Sequence, residues 1–188
     1  MANDDLLNNG IISVRTSKQL SLGVVYLFDK IIELVLSKWR SDGLETIKRI
    51  LWIDDINNIP FENLIHRLRD SGLDDYQLSF VTNQIHYSQC FDLKGVHEVV
   101  DELESINHVA QFEVIVIVNL KEIFEVSKNN SYKLCMNQFN NILLELRKSV
   151  APANDDEHTK VVYLLDRFDE IDKEKWLLDY YIDRSVRL

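Results

Sequence analysis

Hydrophobic positions along the chain alternate between short continuous runs and longer stretches with helical spacing. Gly10-Ile-Ile-Ser-Val-Arg15 is short and apolar and predicts a first strand. Residues 20–39 carry Leu22, Val25, Leu27, Phe28, Ile31, Ile32, Val35 and Leu36 around most of a helical circumference. That spacing predicts a helix buried on more than one side. Arg40-Ser-Asp-Gly43 reads as its exit turn, with Gly43 as C-cap. Ile47-Lys-Arg-Ile-Leu-Trp-Ile53, ended by Asp54 and Asp55, predicts a second strand. Pro60 then stands at a first-turn position and opens a helix through Phe61, Leu64, Ile65 and Leu68.

Farther on, Leu78 to Thr82 alternates and predicts a brief strand. Leu93, Val96, Val99, Val100, Leu103 and Ile106 recur at spacings of three and four, which predicts a helix over 93–107. Phe112-Glu-Val-Ile-Val-Ile-Val118 is β-branched and apolar on both faces, as in the middle of a helix-covered parallel sheet. A helix over 132–150 carries Leu134, Phe139, Ile142, Leu143 and Leu146 on one stripe. Val161-Val-Tyr-Leu-Leu165 predicts a last buried strand, and residues 176–181 a last helix. Strand and helix thus alternate, which predicts an α/β fold, a mainly parallel sheet with helices on both faces. There is no internal repeat.

Composition sharpens this picture without changing it. The chain has 188 residues, a length suited to one domain, so 1–188 is read as a single α/β domain. Eight Phe, seven Tyr and three Trp spread along it argue against a disordered tail. The acidic segment at about 151–159 reads as a solvated loop. No run of about 18 apolar residues exists to span a membrane, and the opening Met-Ala-Asn-Asp-Asp lacks signal-peptide features. Cys90 and Cys135 are too few and too far apart for a disulfide scaffold. The expectation is an intracellular, soluble domain with reduced thiols. A net charge of −10 disfavours tight non-specific DNA binding by this chain alone.

Chemistry in such a sheet belongs at the carboxyl ends of the strands. A phosphate-cradling loop needs G-x-x-x-x-G-K-[ST] after the first strand, the glycines for close approach, Lys for phosphates and the hydroxyl for Mg²⁺. With Lys18 set on the motif lysine, Ile12 and Ser17 occupy the glycine positions and Gln19 replaces the hydroxyl. A lone loop lysine is ordinarily a solvated surface residue. After the strand at 112–118, an NTPase needs a carboxylate for its metal, and Asn119 stands there. Asp54 and Asp55 are acids at a strand end, where carboxylates usually are solvated or cap the next helix. The five His residues form no H-x-x-H or H-E-x-x-H pair, neither Cys lies in C-x-x-C, and there is no G-x-S-x-G elbow. No catalytic residue, metal or cofactor is expected.

Ile50-Leu-Trp-Ile-Asp54 followed by Ile59-Pro-Phe-Glu-Asn-Leu-Ile65 resembles the second core strand and following helix of RecA-like eukaryotic recombinases. That family places a catalytic Glu two residues after the strand's Asp, where this chain has Ile56. Arg15-Thr-Ser-Lys18 resembles a decayed "RTGK" phosphate loop, and Glu113 to Asn119 resembles the "LLIVDS" strand with its Asp replaced. All three departures remove the same nucleotide site. Among members without that site, the chain is similar to the recombinase-paralogue-like subunits of the yeast Shu complex. The likeness there rests on residues 50–54 with Pro60-Phe61, on Asn141-Ile-Leu-Leu-Glu-Leu-Arg147 and on Trp176-Leu-Leu-Asp-Tyr-Tyr181.

The resemblance implies a RecA-like core without a functional phosphate-binding loop. It implies a non-catalytic nuclear subunit that forms a heterodimer with another RecA-like paralogue. The pair would serve recombinase filament assembly on single-stranded DNA in homologous recombination repair, meeting DNA through the assembled complex. Candidate DNA contacts are Lys121, Lys128 and Lys133, together with Arg184 and Arg187, to which the family's basic stretch after Tyr-Tyr is reduced. Trp176, Tyr180 and Tyr181 are candidate partner anchors, since aromatics dominate hot spots; packing of the last helix onto the sheet is the alternative. A different class remains open, a RecA-like scaffold subunit of the tRNA-modifying Elongator complex. A third reading is a small NTPase with an unorthodox site.

Overall fold

The computed structural model describes residues 10–16, 19–56, 59–105, 112–128, 131–150, 161–167 and 179–188. Six strands form one sheet: β1 Gly10–Thr16, β2 Arg49–Asp54, β3 Ile85–Gln89, β4 Phe112–Val118, β5 Val161–Arg167 and β6 Arg184–Arg187. Their order is β3-β2-β4-β5-β1-β6 and every described pairing is parallel. The helices are α1 Leu20–Ser41, α2 Phe61–Asp70, α3 Asp75–Asn83, α4 Leu93–Ser105, α5 Leu120–Ser127 and α6 Tyr132–Ser149. The α/β expectation stands, and the architecture is consistent with a RecA-like core.

Strand alternation divides the core into two layers. Ile50, Trp52, Val114, Val116, Tyr163 and Leu165 turn toward α1, α2 and α3. Leu51, Ile53, Ile115, Ile117, Val162 and Leu164 turn toward α4, α5 and α6. Residues on β4 are therefore apolar on both faces because both are covered. The one charged residue inside β4, Glu113, is 1% exposed and accepts a 2.6 Å hydrogen bond from Lys38 Nζ of α1. Lys38 also donates to the Thr46 carbonyl, which fixes the exit of α1 beside the start of β2.

Helix α1 lies close enough to the sheet that its residue 23 has to be glycine. A Cβ there would stand 2.2 Å from Leu165 Cδ1 and 2.9 Å from Thr16 Cγ2. At the other end Gly43 has φ +87°, and its N–H returns to the Lys38 carbonyl at 3.0 Å. The C-cap residue is Asp42 rather than Gly43, and Gly43, with ψ 162°, follows it in a positive-φ conformation that glycine adopts without a Cβ penalty.

The structure corrects several elements. Residues 78–82 are not a strand but the body of α3, because Asp74 and Gln77 form a reciprocal capping box. Leu78 and Val81, three apart, are its buried residues, so helical period prevails over the short alternation. The strand in this region is β3, just downstream. Helix α5 and strand β6 are additional elements that the pattern does not announce. Ile47 is buried but caps a short 3-10 turn at Leu44–Thr46 rather than starting β2. Of the last predicted helix, residues 179–181 are helical, and the rest lies outside the described residues. The acidic loop at 151–159 lies outside them too.

Candidate functional site

After β2 the chain leaves toward α2 on one face; after β4 it leaves toward α5 on the other. Neighbouring strands whose connections diverge in this way open a crevice at their carboxyl ends. Asp54, Asp55 and Asn119 stand at that point, which makes it the candidate site.

Its polar groups are already engaged with one another. Asp54 is fully buried and accepts from Tyr87 Oη at 2.6 Å, Trp52 Nε1 at 3.2 Å and the Ile56 N–H at 3.1 Å. Trp52 lies two residues upstream on the same strand face, and Tyr87 comes from the adjacent β3. Asn119 donates from Nδ2 to Asp55 Oδ1 at 3.0 Å, so an amide bridges the crevice between β2 and β4. Its φ of 60° and ψ of 30° put it in the left-handed region, which Asn tolerates through its short polar side chain. Its own N–H meets the Leu165 carbonyl at 2.8 Å. Asp166 accepts from the Lys121 N–H at 3.0 Å and so satisfies the first turn of α5.

Ile56 is half exposed at the crevice mouth and offers no polar atom from its side chain. Ile12 lies inside β1, paired with Tyr163 and Arg184, rather than in a loop. Gln19 is the N-cap residue of α1 and makes no side-chain capping bond. Ser17 and Lys18 lie outside the described residues. No group of three or more His, Cys, Asp or Glu among the described residues is arranged to hold a metal ion. Burial pushes the Cys90 thiol above its ordinary value, which keeps it protonated and a poor nucleophile. Cys135, also buried, donates to the Ser127 carbonyl at 3.1 Å.

The candidate cations fall into two groups. Lys121 lies in α5, Lys128 just after its last residue, and Lys133 in the first turn of α6. Lys128, the C-cap residue of α5, is ion-paired with Glu125. Arg184 and Arg187 lie on β6, three places along the sheet from β4. The aromatic candidates also separate. Tyr181 is buried and donates to Asn140 Oδ1 at 2.9 Å, whereas Tyr180 is 81% exposed and Trp176 lies outside the described residues.

Sequence reasoning overlooked Arg15 as an individual side chain. It is 9% exposed in β1, bonded to Ser13 Oγ at 3.1 Å and to Asp179 at 3.2 Å. The polar i, i+2 spacing of Ser13 and Arg15 within an apolar strand was the available signal. Asp183, missed likewise, accepts from the Ile11 N–H at 2.8 Å and from Arg147, tying the start of β6 to β1 and α6. No described helix is long and apolar enough to cross a membrane. No protein-family model matches the chain, and no curated protein is significantly similar to it.

Proposed function

We propose that this chain is a non-catalytic subunit of a recombinase-paralogue assembly of the Shu type, similar to its smaller recombinase-paralogue-like subunit. It pairs with a second RecA-like paralogue and promotes recombinase filament assembly on single-stranded DNA, in the nucleus, during homologous recombination repair. The observation that carries the reading is the Asn119–Asp55 bridge across the strand-end crevice. A RecA-like NTPase needs free carboxylates there to hold a metal and to activate water. Here one position is an amide, another is Ile56, and the Asp54 carboxylate is occupied by Trp52, Tyr87 and the chain itself. A core of this shape without a free catalytic acid supports a role in assembly.

The test is affinity purification of the tagged chain from its native cell, with mass spectrometry of the co-purified proteins. Recombination factors including another small RecA-like chain support the reading. Elongator subunits would move the function to tRNA modification, and ATP turnover by the purified chain would contradict the non-catalytic role. Lys18→Ala is expected to leave cellular function unchanged.

A further inference from the structure

Residues 179–188 lie against β1 and α6, and their strand β6 ends the described sheet on that side. Side chains at 179, 181 and 183 fasten them. Asp179 pairs with Arg15 of β1 at 3.2 Å, and Tyr181 Oη donates to Asn140 of α6 at 2.9 Å. Asp183 Oδ2 accepts from the Ile11 N–H at 2.8 Å and pairs with Arg147 of α6. Main-chain bonds run from the Asp183 N–H to the Ile11 carbonyl and from the Leu188 N–H to the Arg15 carbonyl.

Apolar burial adds little to this. Tyr181 is the one buried hydrophobic residue of the segment, with Ile182 and Val186 partly covered. Tyr180 is exposed, as are Arg184, Ser185 and Arg187 of β6. β4 and β5, by contrast, are buried almost from end to end. A segment with few buried apolar contacts belongs to the low-stability end of the openings that a fold undergoes. Its clasp is nonetheless closely fitted. Gly10 opens β1 beside the Asp183 carboxylate, and a Cβ there would stand 2.7 Å from Asp183 Oδ2. Glycine at this position leaves the carboxylate room to meet the Ile11 N–H and Arg147 together.

We propose that residues 179–188 are a clasped strap that opens as one unit while the rest of the sheet stays folded. Closed, the strap seats Tyr181 on α6 and fixes Arg184 and Arg187 along the edge of β1. Open, it uncovers the outer backbone groups of β1 and parts Arg15 and Arg147 from the carboxylates of Asp179 and Asp183. The strap thus governs how Tyr180, Tyr181, Arg184 and Arg187, the candidate contact residues at this end of the chain, are presented. The Asp179 and Arg147 side chains are about half exposed, so dissolved salt weakens the closure. The inference does not rest on the assembly reading, and the isolated full chain tests it.

Residue-resolved amide exchange reads the strap through the Asp183 and Leu188 N–H groups. In the isolated chain both are expected to be protected about 100-fold less, or lower still, than the amides of β4. Raising salt from about 0.05 M to about 1 M is expected to speed them about threefold or more, with no speeding in β4. Asp183→Ala removes the acceptor and Gly10→Ala crowds it. Each is expected to speed Leu188 exchange about tenfold or more, with β4 unchanged. Leu188 protected as well as β4, or indifferent to both variants, would overturn the strap. Variants that speed Leu188 and β4 alike would overturn it too, because the segment would then open only with the whole sheet. None of these outcomes bears on which chains co-purify, so the assembly reading stands or falls separately.

Discussion

Asp54 is a carboxylate in the place where RecA-like enzymes do chemistry, used here as a structural acceptor. Trp52, Tyr87 and Ile56 donate to it from its own strand, the strand beside it and the turn after it. Replacing it by Ala leaves the Trp52 indole N–H and the buried end of Tyr87 without their acceptor. The expected cost is about 3 kcal/mol, read as a lower urea midpoint at unchanged slope. An Asp54→Ala variant as stable as the parent would mean that the network is ornamental. His86 gives a pH signature. Burial first, and Arg49 second, hold its imidazole below the ordinary value of 6.5. The unfolded chain therefore takes up the proton at higher pH than the folded one, so acid favours unfolding. The His86 contribution is complete above about pH 6.5 and is lost as pH falls through the lower folded value. Urea titrations between pH 7.5 and pH 5 are expected to show this loss in the parent and a flatter profile in His86→Leu.

Among the elements, α3 shows what local chemistry decides against pattern. The Asp74 side chain accepts the Gln77 N–H at 2.8 Å while Gln77 Oε1 accepts the Asp74 N–H at 2.9 Å. Asp74→Ala is expected to cost about 1 kcal/mol, visible as faster exchange in α3. No change would show that α3 is held by the packing of Leu78 and Val81 alone. The long strands and helices were legible from sequence because both faces of β4 and most of α1 are apolar, a signal no loop imitates. Those that escaped have physical reasons. β3 is a polar, uncharged edge only partly buried, so it lacks both alternation and a continuous apolar run. β6 is four residues held largely by Asp183 and pairing with β1. α5 starts directly from the left-handed Asn119, with no capping side chain to announce it. At the site, the uncharged amide at position 119 could be read from one letter. The Asp55 bridge could not, because its partners are 64 positions apart.

At the scale of the whole molecule, strand order explains why the crevice lies between β2 and β4. The chain crosses from β1 to β2 under α1, reaches the edge at β3 and returns through α4 on the other face. At the turning point Asp54, Asp55, Asn119 and Asp166 are hydrogen-bonded to the strands and turns around them. Among the described residues the sheet ends in β3 on one side and β6 on the other. The most direct measurement is native mass spectrometry of the complex purified on this chain. The account predicts one copy bound to one copy of a second RecA-like chain, surviving Lys18→Ala unchanged. A lone monomer with ATP turnover abolished by Lys18→Ala would contradict it.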